Sequence, residues 1–381
     1  MNRSITVRRA FAAALAAFGL HGAAAAQALL DWTPVERQRI AAHGPWPPDV
    51  PPDRSNALEG RSAAIELGRR LFGDPALSAD GQTSCASCHD PATAFQDNRR
   101  TPKYGTRNTP TLLDVAQQRW FGWDGGNDSL WAASLKPMLQ ATEMGPAEPQ
   151  DASPDLVKLA KALAAYQATL VSPRTPFDDF RDALARGDLR VAARYPLGAQ
   201  RGLRLFIGEG RCTVCHSGPR FSNGEFADIG VPFFLKEGGV DGGRHAGLKA
   251  LAASPHTRLG PFNDAGAARD LRAVTTRHLR TEPRHFGEFR VPGLRQLAHT
   301  APYLHDGSAP TLAAVVRHYS ELNEERLHAD GERILRPLRL SPQQAADLEA
   351  FLASLSASAS PSTDGVASPG RARARARAPR P

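Results

Sequence analysis

At 381 residues the chain is long enough for two separately cored domains. Its formal net charge of +8 is concentrated at the ends, in Arg3, Arg8 and Arg9 and in Arg371, Arg373, Arg375, Arg377 and Arg380 against Asp364. The body between them is close to neutral, which argues against a nucleic-acid enzyme, whose footprint would be a basic face on the fold itself.

Residues 1–26 read as a secretory signal peptide, with a basic start, an apolar core from Phe11 to Leu20 and small residues at Ala24-Ala25-Ala26. The apolar core is too short for a stable span and no later run of about twenty apolar residues follows, so the expectation is an exported protein with no transmembrane segment. Residues 27–56 are rich in proline (Pro34, Pro45, Pro47, Pro48, Pro51, Pro52) and are expected to form an extended lead-in. A helix is predicted over Ser62–Phe72, where Ile65, Leu67, Leu71 and Phe72 supply the apolar side before Gly73, Asp74 and Pro75 stop it.

Next comes Cys85-Ala86-Ser87-Cys88-His89, and far down the chain its echo Cys212-Thr213-Val214-Cys215-His216. C-x-x-C-H is the attachment signature of c-type haem: two thiols add across the porphyrin vinyl groups and the adjacent imidazole lies beneath the iron. A zinc site or a redox dithiol is the rival reading, but neither explains a histidine after both pairs. All four cysteines of the chain are used in this way, so two covalently bound c-type haems are expected, on His89 and His216. Leu71-Phe72 before the first motif and Leu205-Phe206 before the second mark an internal repeat. The second of these pairs ends a predicted helix over Gln200–Ile207. Amphipathic helices over Pro154–Leu170 and Pro342–Leu355 close the two units, and strand patterns are sparse. The predicted fold is all-α: two cytochrome c-like haem domains, 57–175 and 190–356, packed around an interface with long irregular loops and joined around Ser172–Pro196. A disordered Arg-rich tail follows at 357–381.

Three further stretches resemble the bacterial dihaem cytochrome c peroxidase/MauG family. They are Thr106-Arg107-Asn108-Thr109-Pro110-Thr111-Leu112; Trp123-Asp124-Gly125 with Glu143-Met144-Gly145; and Val291-Pro292-Gly293-Leu294-Arg295 running to Ala301-Pro302-Tyr303-Leu304-His305-Asp306-Gly307. The resemblance implies a periplasmic peroxidase whose N-terminal haem, on His89, meets hydrogen peroxide and whose C-terminal haem, on His216, passes electrons. Glu143 then becomes the acid/base over the first iron, Trp123 the relay between haems, and Asn108 with the carbonyls near Thr300 and Pro302 a calcium site.

Two departures from the family pattern stand out. Asp90–Thr106 holds no histidine to close the first haem, the only candidates in that half being His43 and His89, and Ala133 occupies the position of a family glutamine. Opposite His216 the expected methionine is missing, since the only methionines are Met1, Met138 and Met144; Tyr319 stands there instead, as in MauG-like members, with His318 beside it as the competing ligand. The remaining histidines (His245, His256, His278, His285, His299, His328) read as surface or loop residues. The expected function is peroxide reduction fed by a small redox protein, a cytochrome c or a copper protein. Two alternatives stand beside it: MauG-like oxidation of residues in a partner protein through a His/Tyr-ligated second haem, and a non-enzymatic dihaem electron carrier.

Overall fold

Helix starts follow side chains that the sequence supplies. In the computed structural model, which describes residues 29–358 apart from 100–105, 149, 233, 236–237, 328–329 and 331–333, helix α1 (Pro34–Ala41) opens on Thr33, whose hydroxyl accepts the Glu36 N–H while the Glu36 carboxylate accepts the Thr33 N–H. Then come α2 (Ser62–Phe72), α3 (Leu130–Leu139) capped by Ser129, and α4 (Pro154–Gln167) capped by Ser153. After them lie α5 (Pro176–Arg186), started by a Thr175/Asp178 capping box, the short α6 (Leu189–Ala192) and α7 (Leu197–Ile207). The chain continues through α8 (Gly243–Ala253), α9 (Leu271–His278), α10 (Leu312–Ser320) and α11 (Pro342–Ala353). Two-residue strands β1 (Phe226–Ala227) and β2 (Phe289–Arg290) pair antiparallel, Phe226 opposite Arg290. The predicted signal peptide, His328 and the tail beyond Ser358 lie outside the described residues.

The apolar side chains gather into two cores, and each is built around one close helix crossing. In the first, α2 crosses α4 at Gly68, where an added Cβ would lie 2.0 Å from the Ala162 carbonyl oxygen. In the second, α7 crosses α11 at Gly202, where a Cβ would lie 1.9 Å from the Asp347 carbonyl oxygen. One turn on from each glycine, on the same helix face, an aromatic pair packs across the crossing: Phe72 against Tyr166 at 5.4 Å and Phe206 against Phe351 at 5.0 Å. The repeat seen in Leu71-Phe72 and Leu205-Phe206 is therefore a repeat of helix packing.

Two stretches differ from expectation. The lead-in is not simply extended: α1 forms because Thr33 and Glu36 make a capping box with Pro34 at the first helical position, and Trp32 and Ile40 bury themselves in the second core. The joining segment around Ser172–Pro196 is likewise folded, because Phe177, Phe180 and Leu184 fall at helical spacing and face that same core.

Charged contacts tie the two halves together. Arg107 pairs with Asp124 at 2.6 Å and with Asp241 at 2.7 Å, and Lys161 pairs with Asp264 at 2.6 Å. Arg258, which is 1% exposed, binds Asp53 and, at 2.8 Å, Asp270. Among the described residues no helix is long and apolar enough to cross a membrane.

Candidate active site

Both C-x-x-C-H motifs fold into a single tight turn that brings the histidine back under the first cysteine. The His89 N–H donates to the Cys85 carbonyl at 2.9 Å and the His216 N–H to the Cys212 carbonyl at 2.8 Å. Each imidazole then donates its Nδ1–H to a carbonyl a few residues on, His89 to Phe95 at 3.0 Å and His216 to Phe221 at 2.9 Å. A carbonyl can only accept, so this contact fixes the tautomer with the lone pair on Nε2, the atom that a metal would use. Burial holds both imidazoles below the ordinary histidine value, hence neutral. Burial likewise pushes the Cys85 thiol up to about 11 and the Cys212 thiol to about 12, far from the thiolate that a redox dithiol needs.

The second motif opens into a cavity of about 910 Å³, lined by Cys212, Cys215, His216, Tyr319 and, from the first half of the chain, Asn108 and Trp123. Tyr319, on α10, sits near both thiols; burial, with the two sulfurs beside it, raises its phenol well above the ordinary tyrosine value. His318 is turned away, its Nε2–H donating to the Ile229 carbonyl at 2.8 Å. Trp123 donates its indole N–H to the Asn108 carbonyl at 2.7 Å. Asn108 in turn donates its side-chain N–H to the Pro302 carbonyl at 2.7 Å and leaves its own side-chain oxygen buried without a partner among the described residues, while Thr300 is buried alongside.

Sequence reasoning missed three residues of this cavity. His305 is 4% exposed, stacked on Phe289 at 3.5 Å and edge-on to Trp123 at 6.5 Å, with Nδ1 unpartnered among the described residues. Burial lowers its imidazole to about 4. Arg220 and Arg290 are buried in the cavity wall, and among the described residues neither forms an ion pair. Burial depresses Arg220 to about 10 and Arg290, which also feels Arg220, to about 9. A buried cation without a counter-ion is costly. No spacing rule marks these arginines; only the fold brings them together. A haem would fit this donor set: His216 could ligate its iron, and the two arginines could pair with the carboxylates it carries.

The first motif lies against the first core, which Cys85 and Ala86 touch. Glu143 is half-buried beside buried Met144 of that core. Burial raises its carboxyl above the ordinary 4.5, and the charge of Lys136 partly offsets the rise. Ala133, on α3, packs against the same core. His43 belongs to the other half: it stacks on Phe221 at 4.4 Å and donates Nδ1–H to the Gly218 carbonyl at 3.1 Å, on the loop that follows His216.

The sequence profile of the di-haem cytochrome c peroxidase family matches residues 62–156. The methylamine utilization protein MauG of Methylorubrum extorquens is 32% identical over 359 residues, covering 87% of this chain and 89% of its own. Cytochrome-c peroxidase IdrP2 of a Pseudomonas species is 30% identical, over 79% of this chain and 83% of its own. Among solved structures, a MauG-like protein associated with microbial copper homeostasis aligns with a TM-score of 0.58 at 27% identity, over 86% of this chain and 98% of that one. The fold is shared with the dihaem peroxidase BthA of Burkholderia thailandensis, with a TM-score of 0.59 at 21% identity, over 81% of this chain and 90% of that one. With two C-x-x-C-H turns of the same build and relatives aligned along most of their length, the chain belongs to the dihaem cytochrome c peroxidase/MauG family of peroxidase-type oxidoreductases.

Proposed function

We propose that the chain is an exported, periplasmic dihaem c-type peroxidase. Hydrogen peroxide is reduced in the unit 57–175, and electrons enter from a small cytochrome c or copper protein through the unit 190–356, the two being cytochrome c-like domains packed at the crevice. The observation that carries this reading is the matched pair of C-x-x-C-H turns, each with its histidine Nδ1–H held by a backbone carbonyl a few residues on. Haem held through Cys85 and Cys88, and through Cys212 and Cys215, supplies iron centres that exchange single electrons. The chain's own residues do the rest. Glu143 takes the proton from one peroxide oxygen and returns it to the departing one, a task suited to a carboxyl whose affinity for protons burial has raised. Trp123 bridges the units, and because the Asn108 carbonyl cannot take its proton, the indole stays N–H while an electron passes. The orphan side-chain oxygen of Asn108, with the carbonyls of Thr300 and Pro302, would hold a calcium ion, the hard cation that oxygen-only ligands suit.

Tyr319 favours a second reading. A phenolate is a hard anionic donor that stabilises oxidised iron, so a His216/Tyr319 pair suits storage of oxidising equivalents and the MauG-like oxidation of residues in a partner protein. The test is made on protein matured with both haems attached. Mass spectrometry should find two covalent haems, and fewer would sink the whole reading. Glu143→Gln should retain the haem spectra and slow peroxide turnover by about 10²-fold; wild-type rates would remove Glu143 from its role. Tyr319→Met separates the two readings: a rise in turnover with a reduced cytochrome marks the stored-oxidant design, whereas an unchanged rate and an unchanged spectrum of the second haem exclude Tyr319 as a ligand.

A further inference from the structure

We propose that the outer face of α9 is the docking surface for an acidic partner protein. On its inner side the helix is fastened firmly. The Thr276 hydroxyl donates to Asp128 at 2.8 Å, Arg119 donates to the Thr275 hydroxyl at 2.9 Å, and the N-capping Asp270 accepts from Arg258 at 2.8 Å. Thr275 and Leu279 line the crevice that holds Trp123 and His216, so the helix stands at its wall.

Among the described residues the outer side has no such partners. Leu271 is 88% exposed, the most exposed large apolar side chain among the described residues, and Val274, three residues on and so on the same face, is 45% exposed. Around them Arg269, Arg272 and Arg277 are exposed and form no side-chain ion pair among the described residues. The acids of this stretch are committed elsewhere: Asp270 is buried against Arg258, and Glu282 pairs with Arg284. Glu59 lies close enough to Arg272 to feel its charge but forms no ion pair with it.

An apolar centre inside a cationic rim is the make-up of a transient protein interface, in which rim charges steer the encounter and the centre excludes water. Unpaired guanidiniums call for carboxylates, and exposed Leu271 and Val274 call for an apolar patch among them, which a nucleic-acid backbone does not provide. The inference rests on the proposed function for what the partner does, namely exchange electrons with the crevice beside α9.

The probe is plastocyanin, a small copper protein with an acidic face, titrated against the holoprotein by calorimetry, with horse-heart cytochrome c as the basic control. Plastocyanin should bind and weaken as salt rises. The double variant Arg272→Glu/Arg277→Glu should weaken binding by about tenfold or more and remove the salt dependence, whereas Leu271→Ser should weaken it and keep that dependence. The proposal fails if plastocyanin does not bind, if it binds the double variant equally well, or if the basic control binds better. It fails too if the arginines instead drive binding to phosphatidylglycerol vesicles while plastocyanin is ignored. Peroxide consumption with hydroquinone, measured in parallel, should be the same in wild type and variants. Its absence in wild type would count against the proposed function, while the calorimetry still decides the surface.

Discussion

Glu143 and Asp178 are carboxylates that their surroundings push in opposite directions. At Glu143 burial dominates and raises the proton affinity, and the charge of Lys136 acts against it. As a base it must be ionised, so activity falls as pH drops through the raised value. The acid limb of the kcat/KM profile should therefore lie above the ordinary glutamate value of 4.5. Lys136→Met removes the opposing charge and should move that limb to still higher pH; a limb that stays put would show that another group governs it. At Asp178 burial also raises the carboxyl, but the twin hydrogen bonds of Arg295, both 2.9 Å, and its charge, with the Thr175 hydroxyl and N–H, outweigh it and leave the net shift downward. A depressed folded value means stability that is complete above the ordinary aspartate value of 3.8 and is lost as pH falls through the lower folded one. Asp178→Asn strands Arg295, which is nearly fully buried, while Arg181 keeps its pair with Asp182, and should cost about 3–5 kcal/mol in denaturant unfolding.

Each helix crossing lies within one core, and each core touches one C-x-x-C-H motif, at Cys85 in the first and Cys212 in the second. Gly68 and Gly202 allow backbone to touch backbone, and a methyl at either point meets a carbonyl oxygen that cannot swing aside. Gly202→Ala should force α7 off α11 and destabilise the protein by about 3 kcal/mol or more, read as a lowered denaturation midpoint. An alanine variant as stable as wild type would show that the crossing relaxes freely. The start and stop of α2 were legible from its apolar spacing and the Gly73-Asp74-Pro75 stop, and the Pro154 and Pro342 starts held for the same local reasons. By contrast α1 went unread because proline-rich sequence masks a four-residue capping box, and α5 because a segment between two motifs looks like a linker until a core is found for its phenylalanines.

Across the whole molecule, long-range ion pairs hold the halves in register. Arg258 gathers Asp53 from the lead-in, Asp270 from the start of α9 and the Asp128 carbonyl beside α3. Arg258→Met leaves buried carboxylates uncompensated and should cost about 3–5 kcal/mol. Hydrogen exchange should then report faster opening of α9 than of α2, because α9 has few apolar contacts of its own. Uniform exchange across both helices would show that α9 is held by other means.

What the sequence determined by itself was everything encoded at short range: two C-x-x-C-H turns, the helices around them, and a tyrosine in the second half where no methionine exists. These are legible because a turn, a cap or an apolar stripe is completed within a few residues. The tertiary structure alone decided that Trp32, Ile40 and His43 serve the second core, that Tyr319 and not His318 faces the thiols, and that Arg220, Arg290 and His305 share one cavity wall with Trp123. The physical reason is separation along the chain. Each of these groups draws its burial and its electrostatics from partners far away in sequence, and no local pattern records which distant side chain will remove its water.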